Sequence, residues 1–259
     1  MVEATKNGTQ PSGEPEEYSV TMRSPINIAL VKYWGKQHEQ LVIPTNNSMS
    51  LTIHKDQLCS ETTVTLTDDF EGIRLNLNGK NVEKISDRIN MVINTIKEVA
   101  RRQSSKAQKV GSQVMQGQQA QRVNKRGIRV QSVNNFATAA GLASSSSGLS
   151  CLSACLAKVY GIKEEFEGQF SMFARLGSGS ACRSVYGGVV EWHRGFEAES
   201  ELEEDVEGVS RRAIAKKVEF DELDYWIENL KIFICVVQPE EGQNEFKDIP
   251  STEGMKLSL

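Results

Sequence analysis

The stretch Phe136 to Gly161, FATAAGLASSSSGLSCLSACLAKVYG, sets a small-residue loop and four consecutive serines directly before an apolar run with helical spacing. The first N–H groups of a helix have no partner inside it, so serines at that end cap them, and the same N–H groups hold an anion equally well. Ser144, Ser145, Ser146 and Ser147 therefore admit two readings. In one they cap a core helix, with Leu149, Leu152, Leu156 and Val159 on its buried face and small Ala154 and Cys155 permitting close packing. In the other they belong to a phosphate cradle, where Gly141 and its small neighbours let the backbone approach a polyphosphate and serine hydroxyls add donors.

The rest of the chain narrows the choice. Its 259 residues, 39% apolar and 25% charged, have an ordinary soluble globular composition, long enough for one large domain or two small ones. A net charge of −4 gives no reason to expect nucleic acid or an anionic membrane as partner, and no apolar window reaches the length of a membrane span. Five cysteines, Cys59, Cys151, Cys155, Cys182 and Cys235, form no CxxC pair, which fits reduced thiols and a cytosolic protein. His38, His54 and His193 lie too far apart in sequence to suggest a metal site. Residues 1–17 are polar and acidic without a secretory or transit pattern, and read as a disordered tail.

Strands and helices alternate from Tyr18 onward, an α/β pattern. YSVTMRSP and SMSLTIH read as strands; TTVTLT and GIRLNLNG alternate, and the Asn78-Gly79 turn ending the second predicts a hairpin. Ile85, Ile89, Val92, Ile96 and Val99 predict an amphipathic helix from 83 to about 101, ending in Arg101 and Arg102. The Gln-, Ser- and Lys-rich residues 103–125 read as an exposed loop or mobile insertion. GIRVQSVNNF restores a strand, so strand, Gly-containing turn and helix follow in the order a phosphate site needs. A helix over about 164–176 leads into GSGSACRSVYGGVVEW, read as a Gly-Ser loop, a short helical turn and a strand. EAESELEEDVEG reads as an acidic surface loop, LKIFICVVQ as a buried strand, and IPSTEGMKLSL as the start of a further helix.

Two further segments bear chemistry. PINIALVKYWGK places Lys32 and Lys36 around Tyr33 and Trp34; as a plain strand it would turn its lysines to water. GSGSACRS alternates glycines with hydroxyls and ends in Arg183, whose guanidinium grips a carboxylate or phosphate with two parallel bonds; its plain reading is a flexible turn before a helix. No GxxxxGK[ST] or GxSxG segment occurs. Two small-residue loops with separated lysines and an arginine suggest a site for two phosphorylated ligands, with phosphoryl transfer as the reaction class.

NIALVKYWGK, PTNNSMSLT, NNFATAAGLASSSSG, GSGSACRSVYGG and STEGM, in that order, resemble the motifs of the mevalonate diphosphate decarboxylases of the GHMP kinase superfamily, over about Tyr18 to Leu259. The resemblance favours the phosphate cradle. It implies an α/β GHMP-kinase fold with a ribosomal-protein-S5-like N-terminal domain over 18–230, and residues 231–259 as the start of a C-terminal domain largely missing. It also implies ATP-dependent decarboxylation of diphosphomevalonate to isopentenyl diphosphate, with Mg²⁺ accompanying the nucleotide, and a homodimer. Carried over by motif, Lys32, Ser180 and Arg183 become the catalytic set. Asn27, Tyr33, Trp34, Gly35, Lys36, Arg88, Ser178, Gly179, Ser180, Ala181, Cys182, Arg183, Thr252 and Met255 become the diphosphomevalonate site. Gly141, Leu142, Ala143, Ser144, Ser145, Ser146 and Ser147 would cradle the ATP phosphates.

The chain departs from the family pattern in three places. FATAAG stands for the usual FPTAAG, so Ala137 lacks a fixed φ, and SSSSG stands for the commoner SSAAG, adding hydroxyls at Ser146 and Ser147. No DAGPN-like segment, which carries the family's catalytic aspartate, occurs; Asp224, Glu228, Asp248 and Glu253 match nothing in that role and read as surface carboxylates. Two alternatives follow: a product that binds ligand or partner without completing the reaction, and a related mevalonate kinase. Loss of a second domain would also leave apolar surface exposed and favour self-association.

Overall fold

Alternating apolar and hydroxyl residues make the N-terminal half of the chain strand-rich, and a computed structural model describes residues 17–110, 122–136 and 144–233. Eight strands come first: β1 (Tyr18–Pro25), β2 (Asn27–Val31), β3 (Lys36–His38), β4 (Ile43–Pro44), β5 (Ser48–Thr52), β6 (Cys59–Thr67), β7 (Gly72–Leu77) and β8 (Lys80–Val82). Helix α1 (Asp87–Val110), strand β9 (Gly127–Asn134) and helices α2 (Ser144–Val159) and α3 (Gln169–Gly177) follow. A 3-10 helix (Gly179–Val185) then leads to β10 (Gly188–Trp192), α4 (Ser200–Glu204), α5 (Val206–Arg212), β11 (Ala215–Lys217) and α6 (Leu223–Asn229).

The larger sheet has the order β1-β6-β9-β7-β8, antiparallel except where β7 runs parallel to β9. Its apolar positions Val64, Leu66, Leu75, Ile128 and Val130 are buried with Val92, Ile93 and Ile96 of α1 and Cys151, Leu152, Cys155 and Leu156 of α2. Each fully buried aliphatic side chain of this kind contributes roughly 1.5–3 kcal/mol. The smaller sheet, β11-β10-β5-β2, carries a second cluster of Val190, Trp192 and Ala215 with Val42 and Cys182. The 3-10 helix touches α2, α3 and all four strands of the smaller sheet, so it is the seam between the two layers.

Most buried polar groups at that seam are paired, as burial requires, although Nε of Arg175, Nε of Arg183 and Nε1 of Trp192 are not. Arg175 of α3 is fully buried, and its guanidinium donates to the Ser210 carbonyl at 2.9 Å, to Ser210 Oγ at 2.6 Å and to the Ala213 carbonyl. It thus closes the C-terminal end of α5, where a cation complements the helix dipole; burial pulls its pKa down to about 10.

Several sequence expectations are corrected. The first long helix begins at Asp87, after Ser86 Oγ accepts from Ile89 N–H at 3.3 Å, and runs to Val110 rather than ending near 101. Polar contacts sustain it where apolar periodicity stops: Arg102 meets Glu165 at 2.6 Å, and Gln103 bonds both Lys163 O at 2.7 Å and Lys163 N at 3.2 Å. Within the segment 103–125, residues 103–110 are helical, and 111–121 lie outside the described residues. The Asn78-Gly79 hairpin forms between β7 and β8, while TTVTLT and GIRLNL do not pair because β9 lies between them. The helix placed at 164–176 begins at Gln169, after Gly168 with φ of 81°; a Cβ there would stand 2.6 Å from Ile214. The acidic stretch 197–208 forms α4 and the first turn of α5, since Glu201 accepts from the N–H groups of Glu197 and Ala198 and Asp205 from that of Gly208. The PINIALVKYWGK strand breaks at Val31, after a register shift against β5.

Residues 230–233 form no strand, and Leu230, Ile232 and Phe233 are exposed; the rest of LKIFICVVQ, the IPSTEGMKLSL segment and residues 1–16 lie outside the described residues. Tyr225 and Trp226 of α6 are likewise exposed. Among the described residues, no helix is long and apolar enough to cross a membrane.

Ser147 stitches α2 to the larger sheet. Its Oγ accepts from Ser60 N–H at 2.9 Å and donates to Ser24 O at 2.6 Å. Ser147→Ala removes the side-chain partner of two buried backbone groups. The expected loss is about 1–3 kcal/mol, read as a lower urea midpoint at unchanged slope.

Candidate ligand-binding site

Arg183 is the centre of the site. It leaves the 3-10 helix only 2% exposed, with no carboxylate in contact among the described residues. Its Nη1 donates to Ser48 Oγ at 2.6 Å, its Nη2 lies 3.5 Å from Asn27 Oδ1, its Nε has no partner, and the Trp192 ring centroid lies 5.8 Å from the guanidinium carbon. Burial lowers its pKa from the ordinary arginine value. A desolvated cation with so few acceptors favours an incoming anion.

The turn is built to bring this group in. Ser178 is extended and caps α3, its carbonyl accepting from Ala181 N–H at 2.9 Å. Gly179 passes so close beneath the aromatic pair that a Cβ would stand 2.9 Å from Trp192 and 3.2 Å from Tyr33; those two rings meet edge-on with centroids 5.0 Å apart. Asn27 fastens the far side, donating to Ser180 O at 3.0 Å and Ser184 Oγ at 2.8 Å. Cys182 and Ala181 face the core rather than the cleft.

A cationic rim lies beside Tyr33. Lys36 Nζ meets Glu39 Oε2 at 2.9 Å, while Arg88 donates to Glu39 O at 2.9 Å and Gln40 O at 3.1 Å. The hydrogen bond from Lys36 lowers the pKa of Glu39. Burial raises that of Tyr33, opposed by Arg183, and Glu39 and Arg88 also act on it, so one phenol senses both the buried arginine and the rim. Lys32 and Trp34 are exposed; Lys32 O accepts from Asn46 Nδ2 at 3.0 Å, Trp34 N–H donates to Asn46 Oδ1 at 3.1 Å, and Gly35 O accepts from Thr45 N–H at 3.1 Å.

At the start of α2 the serines divide in two. Ser144 is half-buried and Ser145 exposed, whereas Ser146 and Ser147 are buried. Ser146 Oγ hydrogen-bonds Ser180 Oγ, joining this helix end directly to the Gly-Ser turn. Beside Ser144 and Ser145 opens a cleft of about 290 Å³ walled mainly by Leu75, Leu77, Ile89, Val130, Leu149 and Leu152. Sequence reading missed this cleft because its walls come from several separate elements. It also missed Ser48 and Trp192 as partners of Arg183, although Ser48 lies within the PTNNSMSLT motif. A larger cavity of about 740 Å³, between the smaller sheet and α6, is lined by Leu51, Val189, Trp226 and Leu230 but by neither Arg183 nor Ser144. Gly141, Leu142, Ala143, Thr252 and Met255 lie outside the described residues. Among the described residues, no cluster of three or more His, Cys, Asp or Glu side chains could hold a metal ion.

A Gly-Ser turn carrying a buried arginine, bonded to a serine-rich helix start between two sheet layers, belongs to an α/β fold of the GHMP-kinase kind. Residues 24–203 match the family model described as diphosphomevalonate decarboxylase-like N-terminal domain, and the chain belongs to that family. The diphosphomevalonate decarboxylase of Rattus norvegicus is 38% identical over 248 residues, covering 96% of this chain and 54% of the relative. A structure solved in complex with MVAPP, AMPPCP and magnesium matches with a TM-score of 0.60 and 29% identity, over 80% of this chain and 52% of the other. A mevalonate diphosphate decarboxylase from Trypanosoma brucei matches with a TM-score of 0.60 and 34% identity, over 77% and 45%. The chain spans about half the length of the curated relatives it matches.

Cys182 supplies a check on the buried turn. Its thiol donates to Gly179 O at 3.0 Å, and burial pushes its pKa up to about 12. It should therefore stay protonated and unalkylated by iodoacetamide at pH 8.5 in the native protein and react after urea unfolding, as peptide mapping by mass spectrometry would read. Gly179→Ala should expose it by displacing Trp192 and Tyr33, with a matching change in near-ultraviolet circular dichroism.

Proposed function

We propose that this chain binds diphosphomevalonate and ATP side by side, and forms the ligand-holding part of a diphosphomevalonate decarboxylase site. The observation that carries the reading is the buried Arg183 guanidinium, which faces no carboxylate among the described residues and is carried on a turn whose Ser180 Oγ hydrogen-bonds Ser146 Oγ at the start of α2.

In this reading Arg183 receives the substrate carboxylate, and Ser178 and Ser180 donate to the same molecule. Lys36 and Arg88 exchange their contacts with Glu39 and its neighbours for the diphosphate, with Tyr33, Trp34 and Gly35 closing that side and Lys32 adding positive charge. The exposed N–H end of α2, with Ser144 and Ser145, receives nucleotide phosphates, and the apolar cleft next to it has the size and lining to take the base. Mg²⁺ would arrive on the nucleotide's own phosphates. It would neutralise phosphate charge there. Support comes from the related structure solved with MVAPP, AMPPCP and magnesium.

The family reaction needs more than holding. Phosphorylation turns the tertiary hydroxyl into a leaving group, its departure builds positive charge at that carbon, and the electrons of the C–C bond to the carboxylate form the alkene as carbon dioxide leaves. Fixing the carboxylate on Arg183 orients that bond. The 259 residues contain no DAGPN-like segment to supply an aspartate at the hydroxyl. Binding without turnover is accordingly the reading for this chain alone, and decarboxylation that of the family.

Titration calorimetry should detect both diphosphomevalonate and a non-hydrolysable ATP analogue. Arg183→Ala should weaken diphosphomevalonate about 10- to 100-fold, the value of a lost charge-assisted contact. Absence of binding to the unaltered chain would overturn the reading, and carbon dioxide release from it above the Arg183→Ala control would establish the decarboxylase reading for this chain itself.

A further inference from the structure

The two serines that depart from the family pattern, Ser146 and Ser147, behave differently. Ser147 turns toward the sheet and bonds the backbone of Ser24 and Ser60. Ser146 turns toward the turn that carries Arg183. Its side chain is 1% exposed, so water does not serve it, and its hydroxyl meets Ser180 Oγ.

The rest of Ser180 is already held. Its carbonyl accepts from Asn27 Nδ2 at 3.0 Å, and the following residues, Ala181, Cys182 and Arg183, are buried. The freedom left to Ser180 is the rotation of its half-buried hydroxymethyl group and the direction of its proton. An isolated serine samples three staggered side-chain wells. Two hydroxyls in contact share one proton between them, so when Ser146 donates, the Ser180 proton is left to point elsewhere.

We propose that Ser146 is a positioning residue for Ser180: it selects one rotamer and, by donating its own proton, aims the Ser180 hydroxyl as a donor to diphosphomevalonate. The proposal rests on the binding reading above and deepens it. An alanine at this position, the residue usual in the family motif, would leave Ser180 to find its rotamer on binding. Preorganising one of three wells strengthens binding about threefold, and aiming the proton adds to that.

The test is a double-mutant cycle on this chain, measuring diphosphomevalonate affinity by calorimetry for the unaltered protein, Ser146→Ala, Ser180→Ala and the double variant. Ser146→Ala is expected to weaken diphosphomevalonate about 3- to 10-fold, with thermal midpoint nearly unchanged and a smaller loss for the ATP analogue. In the Ser180→Ala background the same substitution should do nothing further, a result that general loosening of α2 would not give. An unchanged affinity in Ser146→Ala, an equal loss in both backgrounds, or an equal loss for the ATP analogue would overturn the assignment while leaving the binding reading intact. Failure of the unaltered chain to bind diphosphomevalonate would overturn both.

Discussion

A guanidinium sealed from water, with no carboxylate beside it among the described residues, is the most demanding object in this fold, and the smaller sheet is organised around it. Ser48 and Trp192 sit directly opposite one another in the β5–β10 register, which delivers a hydroxyl and an aromatic ring to the same guanidinium. Asn27 faces Thr52 in the β2–β5 register, and Thr52 Oγ1 in turn donates to the Arg183 carbonyl at 2.9 Å. A slip of one residue between these strands would turn each of those side chains to the opposite face. The position of Arg183 is therefore a property of sheet pairing, not of the turn alone.

Arg175, eight positions earlier, makes the contrast. It too is buried and its Nε is likewise unpaired, but both of its Nη groups end on carbonyls or a hydroxyl at the close of α5. Arg183 ends on one short hydroxyl contact, one long amide contact and a ring. Two arginines of equal burial thus play unlike parts. One anchors the entry to the Gly-Ser turn; the other remains available at its exit.

The sequence made some of this legible. Polar-apolar alternation marked β1, β6, β7 and β9, and the serine run marked the start of α2, because both signals are local. The short motifs and their order identified the family. What escaped notice depends on distant partners. The last turns of α1 carry no apolar stripe and stand on Glu165 and Lys163. The helices within 197–208 rest on caps from Glu201 and Asp205 that look like surface charge in a linear reading. The separation of β6 from β7 by β9 has no local signature at all, and neither does the cleft beside Ser144.

That insertion of β9 has a consequence for the order in which the molecule assembles. β6 and β7 are separated by only a short turn, yet each finds its neighbour in a strand that begins at Gly127, after the whole of α1. During synthesis both must wait with hydrogen-bonding edges exposed until the ribosome has delivered that strand. Contacts of this range slow folding and lengthen the time an edge is open to other chains. The central strand is thus the keystone that arrives late, and the interval before it is when the nascent protein is most exposed to mispairing.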